Sequence, residues 1–350
     1  MEKALDAEQR KHNHLCVARA LELRRSQGFA VERAALGHHL LAAGEPARAV
    51  PHLVAAGDEA MQLNALDRAV AQYAAAEQAI MADSPVMQPD RSALCDVREK
   101  LADVLSLLGQ LEAAYAALER ALSVVPADAQ LLRARQLRKL GKVLEILHRH
   151  DAALEAYASA ETEFSGVDLH GSQSVLSEWI RLQLSRIWIY YWLARVADMD
   201  ATIESVRPYI DQRALPLDRS DFYQSLVRRD YREHRYVVSD ETLRDAHASL
   251  LAAQEAQAPL EAAFAQFNYG FCLLWHGQLE AAERELQAAR ATTRRLGDST
   301  SEIRSITYLM ITYRRACRAD AARLMAEEVL ARASAAHMGD YVGAAQACLG

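Results

Sequence analysis

Residues 268–289 read NYGFCLLWHGQLEAAERELQAA. Gly277 interrupts two apolar-periodic halves, and neither half carries enough apolar surface to fold alone. Counting from Gly270, Leu273, Gly277, Ala282, Leu286 and Ala289 fall at offsets 3, 7, 12, 16 and 19. The order is small, large, turn, small, large, small. Small residues let two antiparallel helices approach closely, and large ones fill the gap to the next pair. The turn position favours glycine, which tolerates positive φ.

The same register recurs. From Gly37 it runs through Leu40, Gly44, Ala49, Leu53 and Ala56, and from Gly57 through Ala60, Asn64, Ala69, Tyr73 and Ala76. From Ala102 it passes Leu105, Gly109, Ala114, Leu118 and Ala121; from Gly141 it passes Leu144, His148, Ala153, Tyr157 and Ala160. Five copies in one register resemble the tetratricopeptide repeat, a helix-turn-helix unit of ~34 residues that buries its faces against its neighbours. The expected fold is all-α: a right-handed superhelical solenoid of antiparallel helix hairpins.

Partial copies start at Ile187 (Tyr190, Ala194, Met199, Ile203, Val206) and at Met310 (Tyr313, Cys317, Ala322, Ala326, Val329). The Gly37 and Gly57 registers overlap, so they must share a helix near residues 47–62, with Pro51 expected in its first turn. Pro208 is expected to end the helix of the Ile187 copy. Residues 211–258 read as helices without a clear register. Three breaks, at 82–90, 164–174 and 211–220, carry the prolines, glycines and serines. They divide the chain into an N-terminal lobe (1–83), two regular units (84–165), irregular hairpins (166–258) and C-terminal units (259–350). The final YVGAAQACLG looks like the start of another first helix, so the array is expected to continue in the native protein.

The balance of residues agrees. Of 350 residues, 51% are hydrophobic and 25% charged, with only 14 glycines and 8 prolines, which favours long helices with short joints. A net charge of −7 argues against nucleic acid as partner. Five widely spaced cysteines without a C-x-x-C read as free thiols in a reducing cytoplasm. No apolar run is long enough for a membrane span, and the charged N-terminus is no secretory signal.

A narrower resemblance covers nearly the whole chain. Residues 36–80 (LGHHLLAAGEPARAVPHLVAAGDEAMQLNALDRAVAQYAAAEQAI) resemble the segment after the ATPase and winged-helix part of bacterial AAA- or STAND-type signalling proteins, often linked to a cyclase or kinase. RKHNHLCVARALE (10–22) is similar to the helix preceding that segment. QLSRIWIYYWLARVADM (183–199), HRYVVSDETLRDAHASLLAAQEA (234–256) and residues 268–289 resemble successive pieces of the repeat region. The resemblance implies a non-catalytic sensor and protein-binding arm of a signal-transduction ATPase. Its partner would be a protein, a peptide or another domain of the full-length protein, with a small-molecule inducer as a further option. The alternative is the ligand-sensing repeat domain of a STAND-type transcriptional regulator. No Walker A sequence and no cyclase or kinase segment occurs in these 350 residues.

No catalytic motif or cofactor cradle is present, and no enzyme activity, cofactor or metal is expected. The histidine pairs His12/His14, His38/His39 and His148/His150 do not share a helix face and read as solvated or packing residues. The aromatic run 178–192 reads as packing filler. Two groups stand on the expected concave face. Arg135, Arg138, Lys139 and Lys142 form a cationic groove that could clamp an acidic peptide. The favoured reading is that they are answered by Asp96, Glu99 and Asp103 of the preceding unit. Phe264, Phe267, Phe271 and Trp275, with Leu274, form an apolar stripe on the side away from Gly270. It reads either as a docking surface or as packing in a tightly wound array.

Overall fold

At seven places the register sets its turn at offset 7, and at all seven the backbone there is left-handed: Gly44 (φ 80°), Asn64 (54°), Gly109 (73°), His148 (57°), Ala194 (57°), Gly277 (96°) and Cys317 (58°). Only glycine adopts this conformation without steric cost; for the other four residues, packing on both sides holds the turn at about 1 kcal/mol each. The structure, a computed structural model, describes residues 6–82 and 90–350, apart from the side chains of Asp211 and Gln212. The 82–90 break therefore falls, except for its end residues, outside the described residues.

The chain forms two compact units, residues 1–167 and 168–350. The first holds α1 (Ala7–Ser26), α2 (Arg33–Ala42), α3 (Pro46–Gln62), α4 (Leu66–Ala82), α5 (Arg91–Leu107), α6 (Leu111–Leu122), α7 (Gln130–Ile146) and α8 (His150–Thr162). The second holds α9 (Gln173–Trp192), α10 (Val196–Arg213), α11 (Pro216–Glu233), α12 (Asp240–Glu255), α13 (Pro259–His276), α14 (Leu279–Leu296), α15 (Ser299–Arg315), α16 (Ala319–Ala335) and α17 (Gly339–Leu349). No strand occurs among the described residues. Within each unit, consecutive helices pair as antiparallel hairpins, and each hairpin stacks on the next, as in an all-α tetratricopeptide-like solenoid.

The interlock within a hairpin is specific. A Cβ added to Gly141 would lie 2.4 Å from the Tyr157 ring, and one on Gly57 would lie 2.4 Å from Tyr73. Gly37 and Gly270 meet Leu53 and Leu286 in the same way, at 2.8 and 2.9 Å. The large residue at offset 16 thus fills the space over the origin residue of its own hairpin. Leu286 also packs with Leu309 and Tyr313 of the following hairpin, so one side chain serves both contacts. Ala49, Ala69, Ala114, Ala153 and Ala282 at offset 12 are fully buried, since nothing larger fits between the paired helices.

Two expectations are corrected. Pro51 lies inside α3 rather than in its first turn; the first position belongs to Pro46, whose fixed φ suits a helix start. Nor does α10 stop at Pro208. It continues to Arg213, because Val206 and Ile210 on either side of the proline are buried and hold the helix in place.

Buried charge fastens neighbouring helices. In the first unit, Glu77 of α4 accepts from Arg98 Nε of α5 (2.7 Å) and Arg120 of α6 (3.3 Å). In the second, Glu302 of α15 accepts from both terminal nitrogens of Arg332 on α16 (2.6 and 2.5 Å). These partners hold both carboxyls below their usual range, Glu302 through its Arg332 bonds and Glu77 through its arginines against the opposing effect of burial. No helix among the described residues is long and apolar enough to cross a membrane.

Candidate functional site

The first helices of successive hairpins touch one another in the second unit: α11 meets α9 and α13, and α15 meets α13 and α17. Their shared face carries the apolar stripe. Phe264, Phe267, Phe271 and Trp275 recur at helical spacing along α13, and the structure gives them different roles. Phe267 is buried against Tyr308 of α15, 5.4 Å between ring centres, and serves packing. Phe271 is half-buried, with Tyr308 at 4.9 Å, Tyr231 at 5.5 Å and Trp275 at 6.0 Å. Trp275 is 39% exposed and carries Arg315 over its ring at 5.4 Å. Leu274 is fully buried.

The stripe continues into rings from other helices. Tyr236 stacks on Tyr231 at 5.1 Å and bonds to the Tyr191 hydroxyl. Tyr191 stands edge-on to Trp192, which is 59% exposed. Trp192 is therefore not the filler expected of the 178–192 run, whereas Trp179 packs on Tyr209 and Trp188 lies under Arg228. An aromatic band thus runs from Trp192 through Tyr191, Tyr236 and Phe271 to Trp275. Its exposed members, Trp192, Tyr236 and Trp275, offer ring faces and edges to an apolar or aromatic group. Beneath the band, Tyr231 bonds to Cys272 at 2.8 Å, and burial pushes that thiol up to about 12. Such a thiol is inert at neutral pH.

At the other end of the stripe is a cavity of about 590 Å³, with Arg181 of α9, Asp221 and Gln224 of α11, Phe264 of α13 and Asp298 at the start of α15 in its wall. Leu217 and Leu260 supply further apolar surface, and Glu261 a further acid. Arg181 is tied to the fully buried Asp218 through its Nε at 2.9 Å. The protein packed around Asp221 raises its carboxyl above the usual range although the residue itself is exposed; Asp218 and Glu261 add to this, while Arg228 and Arg181 oppose it. Volume and mixed lining match a site for part of a peptide or a small molecule.

The four cations lie in the first unit, on α7. Lys139 is held by Glu99 (2.6 Å) and Asp103 (2.6 Å), both on α5. Arg135 lies 3.9 Å from Glu99, Lys142 bonds Glu145 at 2.6 Å, and Arg138 also has a partner. Much of this charge is already answered inside the protein. Glu99 and Glu145 are buried, so an acidic peptide would have to draw these cations away from carboxylates that need them. The cationic and apolar groups belong to different units.

Among the described residues one set has the donor types of a metal site: Asp230, Glu233 and His234. Arg229 pairs with both Asp230 and Glu233. Its guanidinium already supplies the positive charge an ion would bring. Asp245, on the adjoining helix, is pushed up to about 6 by burial and then by Asp230 and Glu241, with Arg207 and Arg244 opposing. A carboxyl raised in the folded state binds its proton more tightly there than when unfolded. It therefore destabilises progressively as pH rises from the usual carboxylate value through about 6. Asp245→Asn is expected to stabilise the protein at pH 7.5 by about 1–2 kcal/mol after solvent screening. Urea unfolding between pH 7.5 and 4 checks this, and the gain should shrink toward zero over the acid end of that range.

No family model matches the chain, and no curated protein matches it. Solved structures do resemble it. One is a Rap protein complexed with Competence and Sporulation Factor: TM-score 0.57, 14% identity, covering 84% of this chain and 78% of that one. A second is a plasmid's Rap conjugation gene regulator in complex with a Phr peptide: TM-score 0.57, 14% identity, 85% of this chain and 77% of that one. A third is a STAND protein with a tetratricopeptide repeat sensor from Pyrococcus horikoshii. Its TM-score is 0.52 at 11% identity, over 95% of this chain and 47% of the larger protein. These likenesses establish the fold.

Proposed function

We propose that this chain is a non-catalytic binding arm that takes a protein or peptide on the first-helix face of its second unit. We further propose that it serves as the sensor of a bacterial signal-transduction ATPase. The observation that carries the first part is the aromatic band with exposed Trp192, Tyr236 and Trp275, continuous along α13 with the cavity beside Phe264. Three exposed rings joined through the half-buried Phe271 form a continuous apolar surface that packing between hairpins does not require. The similar Rap structures hold a factor or a peptide, which fits the same reading. Stacked hairpins differ by small rotations, so an occupant that prefers one curvature would bias whatever module is attached.

The test of the binding face is selection of a random heptapeptide phage library on the intact chain, with Phe271→Asp as counter-selection. Peptides that bind the parent and not the variant are expected; equal recovery on both would refute the face. Arg138→Glu, in the first unit, separately tests the cationic groove. It should weaken capture of acidic peptides several-fold if that groove also binds. The second part rests on the sequence resemblance and on the likeness to a STAND protein with a repeat sensor. It expects a G-x-x-x-x-G-K-[ST] segment in the same reading frame. A helix-turn-helix module there, without a cyclase or kinase, would instead favour the transcriptional regulator.

A further inference from the structure

We propose that the cavity between α9, α11, α13 and α15 receives a cationic side chain of the bound peptide, a lysine or arginine next to an apolar residue. This rests on the binding-face reading above and adds the chemistry of one subsite. The cavity lies on the same helical stripe as the aromatic band, since Phe264 in its wall is followed by Phe267 and Phe271 on one face of α13.

Its charge is one-sided. The cation in the wall, Arg181, is engaged by Asp218 through Oδ1, while Oδ2 of that fully buried carboxylate has no hydrogen-bond partner. Asp218 itself is outside the cavity wall, so its spare oxygen adds negative potential behind Arg181 rather than a hydrogen bond to an occupant. Asp221, Glu261 and Asp298 add three acids to the wall. Two have local duties: Asp298 accepts from the Ser301 backbone N–H at 3.0 Å, and Glu261 stands in the first turn of α13. Asp221 caps no helix: it lies in the second turn of α11, with Arg228 and Arg181 offsetting part of its charge. It is exposed and lines the cavity. Asp218 and Glu261 stand near enough to repel its charge, and an arriving cation would relieve that repulsion. Leu217, Leu260 and Phe264 supply apolar wall for the methylene stem of a long cationic side chain or for its neighbour. A volume of about 590 Å³ has room for both.

The heptapeptide library selected on the intact chain supplies the probe. The enriched peptides should share a lysine or arginine beside an apolar residue. Replacing an arginine there with citrulline, which keeps the shape and removes the charge, should weaken binding at least about tenfold. Asp221→Asn and Glu261→Gln should each weaken the arginine peptide about tenfold while leaving the citrulline peptide unchanged, with helical circular dichroism intact. If selected peptides lose binding to Phe271→Asp but show no cationic preference, or bind Asp221→Asn and the parent equally, the subsite is refuted and the binding face stands. If no peptide distinguishes Phe271→Asp from the parent, the face and the subsite fall together.

Discussion

Gly141→Ala is expected to destabilise the first unit by about 2 kcal/mol, although the same change in an ordinary helix interior stabilises by about 1 kcal/mol. The sign is what matters. Gly141 lies inside α7, and its added methyl would stand 2.4 Å from the ring of Tyr157, a side chain with no exposure and no room to retreat. Overpacking of this kind costs about 1–3 kcal/mol or somewhat more, which outweighs the helix-propensity gain. The chain itself contains the remedy: Ala102 and Leu118 occupy the corresponding register positions two helices earlier and are both buried. Gly141→Ala combined with Tyr157→Leu should therefore recover at least about 1 kcal/mol relative to the sum of the single changes. Gly270→Ala should cost less, because its methyl would stand 2.9 Å from the nearest atom, Leu286 Cγ, rather than 2.4 Å. Urea unfolding of the parent and the four variants reads all of these, and additive or stabilising single changes would show that the small residue is not a steric requirement.

Phe271→Asp should reduce peptide or partner binding at least about thirtyfold, the scale of a central hot-spot residue. Phe271 joins Tyr231 and Tyr308 below the surface to Trp275 above it, so its loss removes the support of the exposed rings as well as its own contact. A carboxylate at this half-buried position also lowers stability, and Trp275→Ser provides the second reading. Trp275 is exposed enough for the chain to keep its fold, and its replacement should still weaken binding several-fold. Binding by titration calorimetry, with circular dichroism for the fold, separates the two effects. Undiminished affinity in Trp275→Ser would remove the aromatic band from the binding surface.

The register was legible because it sets apolar size and backbone chirality at the same positions. A spacing of 7 from the origin residue marked left-handed turns even where the residue was His148, Ala194 or Cys317. Residues 211–258 were not legible, for a physical reason. There α11 and α12 meet through buried polar groups: Ser220 pairs with Ser249, and Gln224 donates to the Ser249 hydroxyl at 2.8 Å. Asn268 of α13 bonds Gln224 in turn, at 3.0 Å. Serine and glutamine locked together in a helix interface leave no small-and-large apolar pattern to read. The Pro208 expectation failed because local propensity yielded to the burial of Val206 and Ile210.

The stripe on α13 was readable within one helix, but its meaning was not. Its aromatic neighbours, Tyr236 and Tyr308, and its acidic cavity wall come from segments about one repeat away in sequence. Arg181 and Asp218 are 37 positions apart and meet only when first helices stack. Likewise, the cations at 135–142 could be read as a cluster, whereas the pairing of Lys139 with Glu99 and Asp103 depends on how α5 lies beside α7.

Native-state amide hydrogen exchange on the Gly141→Ala protein tests the central claim, that each hairpin is held by its neighbours rather than by one common core. Protection should fall most in α7 and α8, less in α5 and α6, and least in α1 and α2. A uniform loss through every helix of the first unit would contradict it.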